Sequence, residues 1–488
     1  MNKNITHPNF MVKNKILLLF AIVFFSALIF KLPRFIESNF GDISLEQLIY
    51  HVLAEHDGMP RALVMNIVNK LIFLPFLFST LIIFTLWCIH RFLPYICFKF
   101  SKAVLIFAII YAQIFGFVAI YYVLNIDTYL QANFHTSKNL TIDWMKQFYQ
   151  HPSAHYKKSA PPKNLIVIYV ESLENFRVNS DSILRKDLNS FNIEHFSIQP
   201  GTQWTLAGIV ASQCGVPLLP VGLIASHGLM ETKEPLKNAI CLGDILMQSG
   251  YYNEFIGGAD PEFSGKGTFL KKHGFDQITG KHYLDKLYPK SKYPSDWWGH
   301  SDETVLNHAK QRVVELNATK KPFFLNILTL DTHANTGHLS EYCKKLAYTD
   351  SVDQIFQCTV LQIEGFYNWL NQNNYLDNTV LVIMGDHPFM SKDYRGKFGG
   401  SKFRDLSQKD IFFGMKLPDN RVIKIESMTH FDIYPTVLSS LDYQIENDGA
   451  GIGKNMFSKE FQNMSNIHSK LPNQLRRSSP DYLELWRD

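Results

Sequence analysis

The first 125 residues hold an outsized share of the apolar side chains of this chain. Three apolar runs in this part, at residues 16–30, 71–88 and 103–124, predict membrane-spanning helices, since about 20 helical residues cross the hydrocarbon core of a bilayer. Only Gln113 interrupts the third run with a strongly polar side chain. The first run is not expected to be a cleavable signal peptide, because it lacks a cleavage site of small residues and because two further spans follow it.

Basic residues predict how these spans are oriented. Lysines precede the first run at positions 3, 13 and 15, and Arg91, Lys99 and Lys102 lie between the second and third runs. Because short cytoplasmic segments carry an excess of Lys and Arg, both segments are predicted inside. The loop over residues 34–70 mixes basic with acidic residues and is predicted outside. Three spans therefore place the N-terminus inside and everything after residue 125 outside.

The remainder of the chain has the pattern of an α/β domain. Continuous apolar, β-branched runs at Asn164–Val170, 323–330 and 379–384 predict strands buried on both faces. Helical patterns at 240–248, 304–316 and 354–371 lie between them. Alternation of this kind predicts a mostly parallel sheet in a domain over residues 163–453. Residues 1–125 form the membrane region, residues 126–162 are predicted to be an interfacial linker, and residues 454–488 are predicted to be a C-terminal appendage.

Charge and cysteine usage refine this organisation. A formal net charge of +4 over 488 residues, without a basic stripe, gives no reason to expect a nucleic-acid partner. Four cysteines of the soluble part fall into two closely spaced pairs. In an oxidising compartment the simplest pairing is two local disulfides, Cys214–Cys241 and Cys343–Cys358. The alternative is four unrelated buried thiols.

Chemically active residues follow the predicted strands. Glu171 follows the first strand, Asp331 and His333 follow the second, and Asp386-His387 follows the third. Ligands of parallel sheets bind beyond the carboxyl ends of the strands, so these side chains are predicted to meet at one edge. Carboxylate oxygens and an imidazole nitrogen suit Zn²⁺ or Mn²⁺. The alternatives are that Asp386 belongs to a turn and that Glu171 is a charge at a helix start.

Thr205 is the candidate nucleophile. It follows the Gly201 loop and opens a helix of small and apolar residues. A hydroxyl beside a metal can attack phosphorus, and the N–H groups of the helix start can hold phosphoryl oxygens. Local sequence alone favours the alternative that Thr205 is only an N-cap.

Several longer segments favour the nucleophile over the N-cap. They are NLIVIYVESLENF, PGTQWTLAGIVASQCGVPL, AICLGDIL, GGADPEFSGKGTFLKKHGFD, PFFLNILTLDTHANTGHLS and the late GDH. By these segments the chain resembles the sulfatase-type alkaline phosphatase superfamily, and within it the phosphoglycerol transferases of osmoregulated periplasmic glucans, which are related to lipoteichoic acid synthases. The resemblance extends in the expected order across residues 163–453.

The resemblance implies roles for individual residues. Glu171, Thr205, Asp386 and His387 would bind a divalent metal, and Thr205 would also form the covalent intermediate. His333 would bind the substrate phosphate or glycerol. The remaining residues predicted to contact substrate are Asp260, Lys266, Trp298, Asp302 and Asp331, with His430 as a further candidate. Lipoteichoic acid synthases usually have His, Trp and Arg where this chain has Gly258, Asp260, Phe263 and Lys266, and this departure weakens the likeness to the synthases.

The resemblance also implies a function. A phosphoglycerol headgroup would move from phosphatidylglycerol in the bilayer to a periplasmic glycan, with the catalytic domain on the periplasmic side of a bacterial inner membrane. One alternative is a phosphoethanolamine transferase that acts on lipid A or another glycan. A catalytically inactive receptor or scaffold is another, although the intact metal-binding set argues against it. A true sulfatase is disfavoured, because its C/S-x-P-x-R motif is missing.

Overall fold

A computed structural model describes residues 8–41, 43–54, 57–93, 95–128, 130, 143–156, 161–220, 234–291, 293–294, 297–333, 337–390, 410–419, 422–477 and 479–487. The chain divides into two compact units. The first comprises Met1–Ile43 and Pro60–Asp127, and the second comprises Ser44–Met59 and Thr128–Asp488.

The first unit consists of long apolar helices. These are α1 (Pro8–Phe40), α3 (Arg61–Ile67), a π-helical turn (Val68–Phe73), α4 (Leu74–Phe92) and α5 (Tyr95–Val123). Three stretches, Lys15–Phe40, Arg61–Phe92 and Lys99–Val123, are long and apolar enough to cross a membrane, which confirms the three predicted spans by length and composition. Gln113, the polar interruption of the third run, donates a hydrogen bond to Ser26 Oγ at 3.1 Å and is thereby satisfied within this unit.

A six-stranded sheet organises the second unit. Its strands are β2 (Asn164–Val170), β4 (Tyr252–Gly257), β5 (Gln277–Thr279), β6 (Phe323–Leu328), β7 (Thr379–Gly385) and β8 (Phe413–Lys416), in the order β5-β4-β6-β2-β7-β8. All neighbours are parallel except β7 and β8. The predicted α/β class with a mostly parallel sheet is therefore confirmed.

Helices cover both faces of this sheet because its central strands are apolar on both faces. In β2, Leu165, Val167 and Tyr169 point into one core, whereas Ile166 and Ile168 point into the other. The first core contains residues of α8 (Thr205–Cys214), α9 (Leu242–Gln248) and α15 (His430–Ser440). The second contains residues of α7 (Ile183–Asp187), α12 (Asp302–Ala318) and α14 (Val352–Gln372).

Shorter elements complete the unit. The helices are α2 (Leu45–Leu53), α6 (Trp144–Phe148), α10 (Lys266–Lys272), α11 (Lys281–Leu287), α13 (Glu341–Lys345), α16 (Ser465–Leu475) and α17 (Pro480–Glu484). Short 3₁₀ turns span Asn175–Arg177, Phe263–Gly265, Glu446–Asp448 and Lys459–Asn463. Two-stranded sheets pair β3 (Phe191–Phe196) with β9 (Ile423–Met428), β1 (Ala154–Tyr156) with β10 (Tyr443–Ile445), and β11 (Gly449–Ala450) with β12 (Gly453–Lys454).

The segments on either side of the predicted catalytic domain are packed into its core. Leu475 and Trp486 of the predicted appendage are buried, as is Trp144 of the predicted linker. The Trp144 and Tyr482 rings lie 5.3 Å apart. Leu475, Tyr482 and Trp486 of this tail belong to the larger core. The boundaries at residues 125, 162 and 453 stay predictions.

Two disulfides join neighbouring elements, Cys214 with Cys241 and Cys343 with Cys358. The first ties the C-terminus of α8 to the residue before α9, and the second ties α13 to α14. Both match the local pairing predicted from the spacing of the cysteines. Because α8 begins at Thr205, the first bridge holds the far end of the helix that carries the candidate nucleophile.

Candidate metal centre and active site

Two neighbouring strands deliver the central residues of the site. β2 and β7 pair in parallel with Val170 opposite Gly385, so Glu171 and Asp386 leave the sheet side by side. Glu171, Asp386 and His387 are at most 1% exposed. A ligand atom from each can be chosen so that all three atoms lie within 4.8 Å of one another. The structure thus brings together the three residues that the sequence placed at strand ends.

His387 is oriented by a main-chain contact. Its Nδ1 lies 2.9 Å from the carbonyl oxygen of Pro388, which can only accept, so the hydrogen belongs on Nδ1. Nε2 then faces the carboxylates, 3.2 Å from Glu171 Oε1 and 3.6 Å from Asp386 Oδ2. A histidine whose outer nitrogen donates to a carbonyl has the orientation of a metal-ligating imidazole.

Burial and mutual charge shift the pKa values of all three groups. Burial and the neighbouring Glu171 raise the pKa of Asp386 to about 7. Burial alone would lower the pKa of His387, but Asp386 and Glu171 outweigh it and raise that pKa to about 9. Burial likewise opposes ionisation of Glu171, yet His387 and His333 lower its pKa to about 2. A positive charge is therefore favoured at this point of the interior.

The donor set fits a divalent cation. Asp386 Oδ1 accepts hydrogen bonds from the N–H groups of Ser172 and His387 at 2.8 and 2.9 Å. Within the described residues, Oδ2 of the same carboxylate accepts none, although a buried carboxylate oxygen normally has a partner. Two carboxylates and an Nε2 nitrogen are ligands that Zn²⁺ and Mn²⁺ accept. Glu171, Asp386 and His387 would hold such an ion.

Thr205 lies directly beside this group. Trp204, with extended backbone dihedrals, takes the N-cap position of α8 and makes no side-chain capping bond, so Thr205 is the first helical residue. Its Oγ1 lies 3.3 Å from Glu171 Oε2 and 3.4 Å from His387 Nε2. The N-cap interpretation of Thr205 is therefore wrong, because its hydroxyl faces the acidic group instead of the main chain of its own helix.

A glycine allows α8 to approach so closely. A Cβ on Gly208 would lie 2.1 Å from the carbonyl oxygen of Asp386, so any larger residue would push the helix away from the strand end. The sequence shows that this helix is rich in small residues. It does not show why, which is that Gly208 contacts the main chain of Asp386, a metal-ligand candidate.

Further residues hold the ligand candidates in place, and sequence reasoning missed most of them. Ser172 Oγ donates to Glu171 Oε1 at 2.7 Å. Thr332 Oγ1 donates to the Glu171 carbonyl at 2.6 Å, and Thr329 Oγ1 accepts from its N–H at 2.9 Å. Buried, neutral His430, whose pKa burial lowers to about 3, contacts the Asp386 carbonyl through Nε2 at 2.9 Å. His430 is thus placed against a main-chain group rather than in the open site.

Lys266 and His333, two of the predicted substrate residues, interact electrostatically with Glu171, and Trp298, a third, contacts His333. Lys266 is buried and lies within electrostatic range of Glu171, Asp260 and Asp386, although burial lowers the pKa of its ammonium group. His333 also acts on the charge of Glu171, and its ring lies 4.6 Å from that of Trp298. Their predicted contacts with substrate stay predictions.

Asp260 and Asp302 are engaged by the chain itself. Asp260 Oδ2 lies 2.9 Å from His282 Nε2. Asp302 Oδ1 accepts from the N–H groups of Leu330 and Asp331 at 2.6 and 3.1 Å, and its Oδ2 accepts from Thr359 Oγ1 at 2.9 Å. Asp331 is fully buried beside Asp302. Asp302 and Asp331 are therefore buried inside the fold, and their predicted contacts with substrate stay predictions.

The amino-acid sequence matches a protein family and several curated proteins. The sulfatase family model matches residues 163–443. Phosphoglycerol transferase I of Escherichia coli (strain 55989 / EAEC) is 32% identical over 357 residues, which cover 69% of this chain and 45% of the relative. The protein of that name from Shigella flexneri matches to the same extent. The chain thus spans less than half the length of these curated relatives.

Two solved structures are also similar. The lipoteichoic acid synthase LtaP from Listeria monocytogenes aligns with a TM-score of 0.46 and 16% identity, over 62% of this chain and 79% of its own. The lipooligosaccharide phosphoethanolamine transferase A from Neisseria meningitidis aligns with a TM-score of 0.48 and 13% identity, over 88% of this chain and 84% of its own.

Proposed function

The chain belongs to the sulfatase family, and from that membership we propose that it is a membrane-anchored phosphoglycerol transferase. It moves the glycerophosphate headgroup of phosphatidylglycerol to a periplasmic glycan through a phospho-threonine intermediate. The observation that carries this proposal is the position of Thr205 Oγ1, 3.3 Å from Glu171 and 3.4 Å from His387. The identity of 32% to proteins named phosphoglycerol transferase I supports the choice of headgroup.

In the first step, Thr205 Oγ1 forms a bond to phosphorus and the bond between phosphorus and the diacylglycerol oxygen breaks. The Thr205 proton is lost, and the diacylglycerol oxygen takes up a proton. A divalent cation, Mn²⁺ or Zn²⁺, held by Glu171, Asp386, His387 and Thr205 would lower the pKa of the attacking hydroxyl and neutralise phosphoryl charge. The first N–H groups of α8 lack intrahelical acceptors and would donate hydrogen bonds to the phosphoryl oxygens.

In the second step, a hydroxyl of the glycan attacks the same phosphorus. A new oxygen–phosphorus bond forms, the bond to Thr205 breaks, and the proton of the acceptor hydroxyl restores the Thr205 hydroxyl. Lys266 and His333 contribute positive charge around the transferred group, since both act electrostatically on Glu171. A phosphoryl group gathers negative charge in both steps, which preorganised cations stabilise.

The membrane anchor suits a lipid donor, because it confines the enzyme to the surface where the donor is concentrated. We propose that the N-terminus lies in the cytoplasm and the second unit in the periplasm of a bacterial inner membrane. The basic residues that flank the spans support this orientation. The disulfides Cys214–Cys241 and Cys343–Cys358 also support it, since such bonds persist in oxidising compartments.

Headgroup labelling tests the proposal. Purified full-length protein is incubated with phosphatidylglycerol or phosphatidylethanolamine that carries a labelled headgroup phosphate, and labelled Thr205 and released diacylglycerol are measured. We expect both products from phosphatidylglycerol, neither in Thr205→Ala, and reduced amounts in Thr205→Ser, which keeps a hydroxyl. Labelling from phosphatidylethanolamine alone would establish the alternative headgroup. Full activity of Thr205→Ala would exclude the covalent mechanism.

A further inference from the structure

A short segment between two candidate spans belongs to the catalytic unit. In sequence, Ser44–Met59 joins the spans Lys15–Phe40 and Arg61–Phe92, yet its contacts place it with Thr128–Asp488. It contains α2, capped by Ser44, whose hydroxyl accepts from the Gln47 N–H. A plain connecting loop would expose its polar residues. Here Glu46, Gln47 and Tyr50 are buried, so α2 is a docked part of the unit.

The docking face of α2 meets residues next to the candidate nucleophile. Tyr50 is fully buried, and its ring lies 5.7 Å from that of Trp204, the residue before Thr205. Its hydroxyl donates to the carbonyl of Ser264 at 3.0 Å. On the same helix, Glu46 Oε1 lies 3.5 Å from Arg476 Nε. The Tyr50 hydroxyl thus joins α2 to the turn that precedes Lys266, and Glu46 joins it to Arg476 at the C-terminal end of α16.

Ser264 occupies a strained position. It is a non-glycine residue in the left-handed region, with φ +58°, a conformation that persists only when its surroundings enforce it. Tyr50 binds its carbonyl, and His51 Nδ1 lies 3.0 Å from its hydroxyl. Two consecutive residues of α2 therefore hold the turn that carries Phe263 and leads into Lys266.

His51 also begins a row of rings that reaches the site. The His51 ring lies 6.2 Å from Phe263, Phe263 lies 4.9 Å from Trp298, and Trp298 lies 4.6 Å from His333. All four side chains of this aromatic row (His51, Phe263, Trp298 and His333) are partly exposed, whereas Tyr50 behind them is buried. The row thus consists of partly exposed rings with an imidazole at each end, and His333 acts on the charge of Glu171.

We propose that the aromatic row is a binding subsite for a polyhydroxylated group of the substrate, and that His51 is the residue of α2 that binds its hydroxyls. Ring faces pack against the C–H surface of glycerol or a sugar, while an imidazole can both donate to and accept from hydroxyl groups. This combination of apolar walls and few polar groups is typical of small-molecule sites. The inference rests on the proposed function, which supplies two such groups, the donor glycerol and the acceptor sugar.

Kinetics of His51 variants in the full-length protein test this subsite. The donor arm measures diacylglycerol release against phosphatidylglycerol concentration in phosphatidylglycerol–phosphatidylcholine vesicles. The acceptor arm measures transfer to a soluble glucan oligosaccharide at saturating donor. We expect His51→Ala to raise KM in one arm by about tenfold, as the loss of one hydrogen bond implies, with little change in kcat. The arm that responds identifies the glycerol or the sugar as the ligand.

Two control variants separate binding from docking. Val52→Ala changes the neighbouring, 64% exposed side chain of α2 and should leave both KM values unchanged. Tyr50→Phe removes only the hydroxyl that binds Ser264 and should lower the thermal midpoint. His51→Gln keeps hydrogen-bonding capacity and should recover part of the substrate affinity that His51→Ala loses. Two results overturn the subsite. One is that His51→Ala leaves KM unchanged in both arms. The other is that His51→Ala lowers kcat together with the thermal midpoint and that His51→Gln does not recover the loss.

The same assay distinguishes the two levels of the proposal. If the wild-type protein transfers the headgroup and His51→Ala behaves identically, only the subsite is wrong. If the wild type releases diacylglycerol from neither phosphatidylglycerol nor phosphatidylethanolamine, the proposed function fails and the subsite fails with it.

Discussion

Two groups of acidic side chains lie buried at neighbouring strand ends of the central sheet, and they differ in how their charges are balanced. In the structural pair, Asp302 and Asp331, the chain supplies what the ionised carboxylate needs. Asp302 accepts two main-chain N–H groups and the Thr359 hydroxyl. Burial, and then the charge of Asp302, raise the pKa of Asp331 well above its usual range, so the neutral acid is favoured over the carboxylate.

In the ligand group, Glu171, Asp386 and His387, the balance is incomplete. Two carboxylates face one imidazole, and Asp386 Oδ2 accepts no hydrogen bond from the residues that the structure describes. Even with His387 protonated, two ionised carboxylates would leave a net negative charge in the interior. A buried charge of this kind is costly unless it is paired.

At this edge of the sheet, the burial of an acidic side chain does not by itself indicate its role. Burial alone does not separate a metal ligand from a structural acid, because every residue of both groups is at most 1% exposed. The donors aimed at the two carboxylates that carry charge do separate them. Both oxygens of Asp302 accept hydrogen bonds, whereas Asp386 Oδ2, beside an imidazole, accepts none from the described residues and can bind a cation. Neither side-chain oxygen of Asp331 accepts a hydrogen bond within the described residues, and its raised pKa favours the neutral acid.

Exchange of Asp386 for Asn should have the largest effect. The variant keeps the shape of the side chain but removes the charge of a ligand candidate, so we expect phosphatidylglycerol turnover to fall on the order of 10³-fold. Diacylglycerol release and bound metal, measured by elemental analysis, would check this. Asp442→Asn, at a half-buried carboxylate that pairs with Lys163 at 2.9 Å, is the matched control and should keep its activity. Full activity of Asp386→Asn would remove the distinction between the groups.

Removal of divalent cations should have the second-largest effect on turnover. A cation that binds only the folded protein stabilises it by about 2.7 kcal/mol at a concentration of 100 times its dissociation constant. We therefore expect a chelator to lower the thermal midpoint of the wild type and to abolish turnover, and added Mn²⁺ or Zn²⁺ to restore both. The Asp386→Asn variant should show no such response. An equal response in that variant would place the cation elsewhere.

The cation effect should depend on pH with a definite sign. Asp386 and His387 have raised pKa values, about 7 and about 9, and each must lose its proton to bind a cation. Affinity should therefore rise with pH, by about tenfold per pH unit for each proton displaced. The slope should be steeper below pH 7, where two protons are displaced, than between pH 7 and 9, where one is. Metal titrations across this range would reveal it, and affinity independent of pH would contradict it.

The ligand group could be predicted from sequence because each of its members follows a strand that is recognisable by itself. NLIVIYV and TVLVIM are continuous apolar runs, so the positions of Glu171 and Asp386 at their ends follow from local pattern and from the geometry of parallel sheets. The two disulfides were similarly accessible from the spacing of the cysteines. These features depend on residues close together in the chain.

What sequence did not predict depends on partners that are distant in the chain. Tyr50 and His51 sit in a polar loop between two apolar runs, and nothing in that loop indicates that Ser264 would be their partner. Asp302 has the position of an ordinary acidic residue at a helix start, and only the fold brings the N–H groups of Leu330 and Asp331 to it. The burial of Trp486 is a further case, because apolar residues scattered through a short polar tail do not specify a docking surface.

Removal of Asp302 should have a smaller effect than loss of the cation, and on stability rather than chemistry. Asp302→Ala leaves the N–H groups of Leu330 and Asp331 buried without their acceptor, which should lower the free energy of unfolding by about 2 kcal/mol. Glu303→Ala, at the next and half-buried position, should change it by less than about 0.5 kcal/mol. Chemical unfolding of the two variants would check this. Equal effects would show that Asp302 is not a structural acid.

Exchange of Asp331 for Asn should have the smallest effect, because the asparagine resembles the protonated acid that the fold already holds. Turnover should stay within about twofold, and near pH 5 the free energy of unfolding should change by less than about 1 kcal/mol. The unfolded chain ionises this residue above about pH 4, whereas the folded protein holds the proton to higher pH because the pKa of Asp331 is raised. Rising pH above about 4 therefore destabilises the wild type but not the variant. Thermal midpoints should therefore shift in favour of Asp331→Asn between pH 5 and pH 8. A tenfold loss of turnover without a change in stability would instead make Asp331 a substrate ligand, as its place beside His333 first indicated.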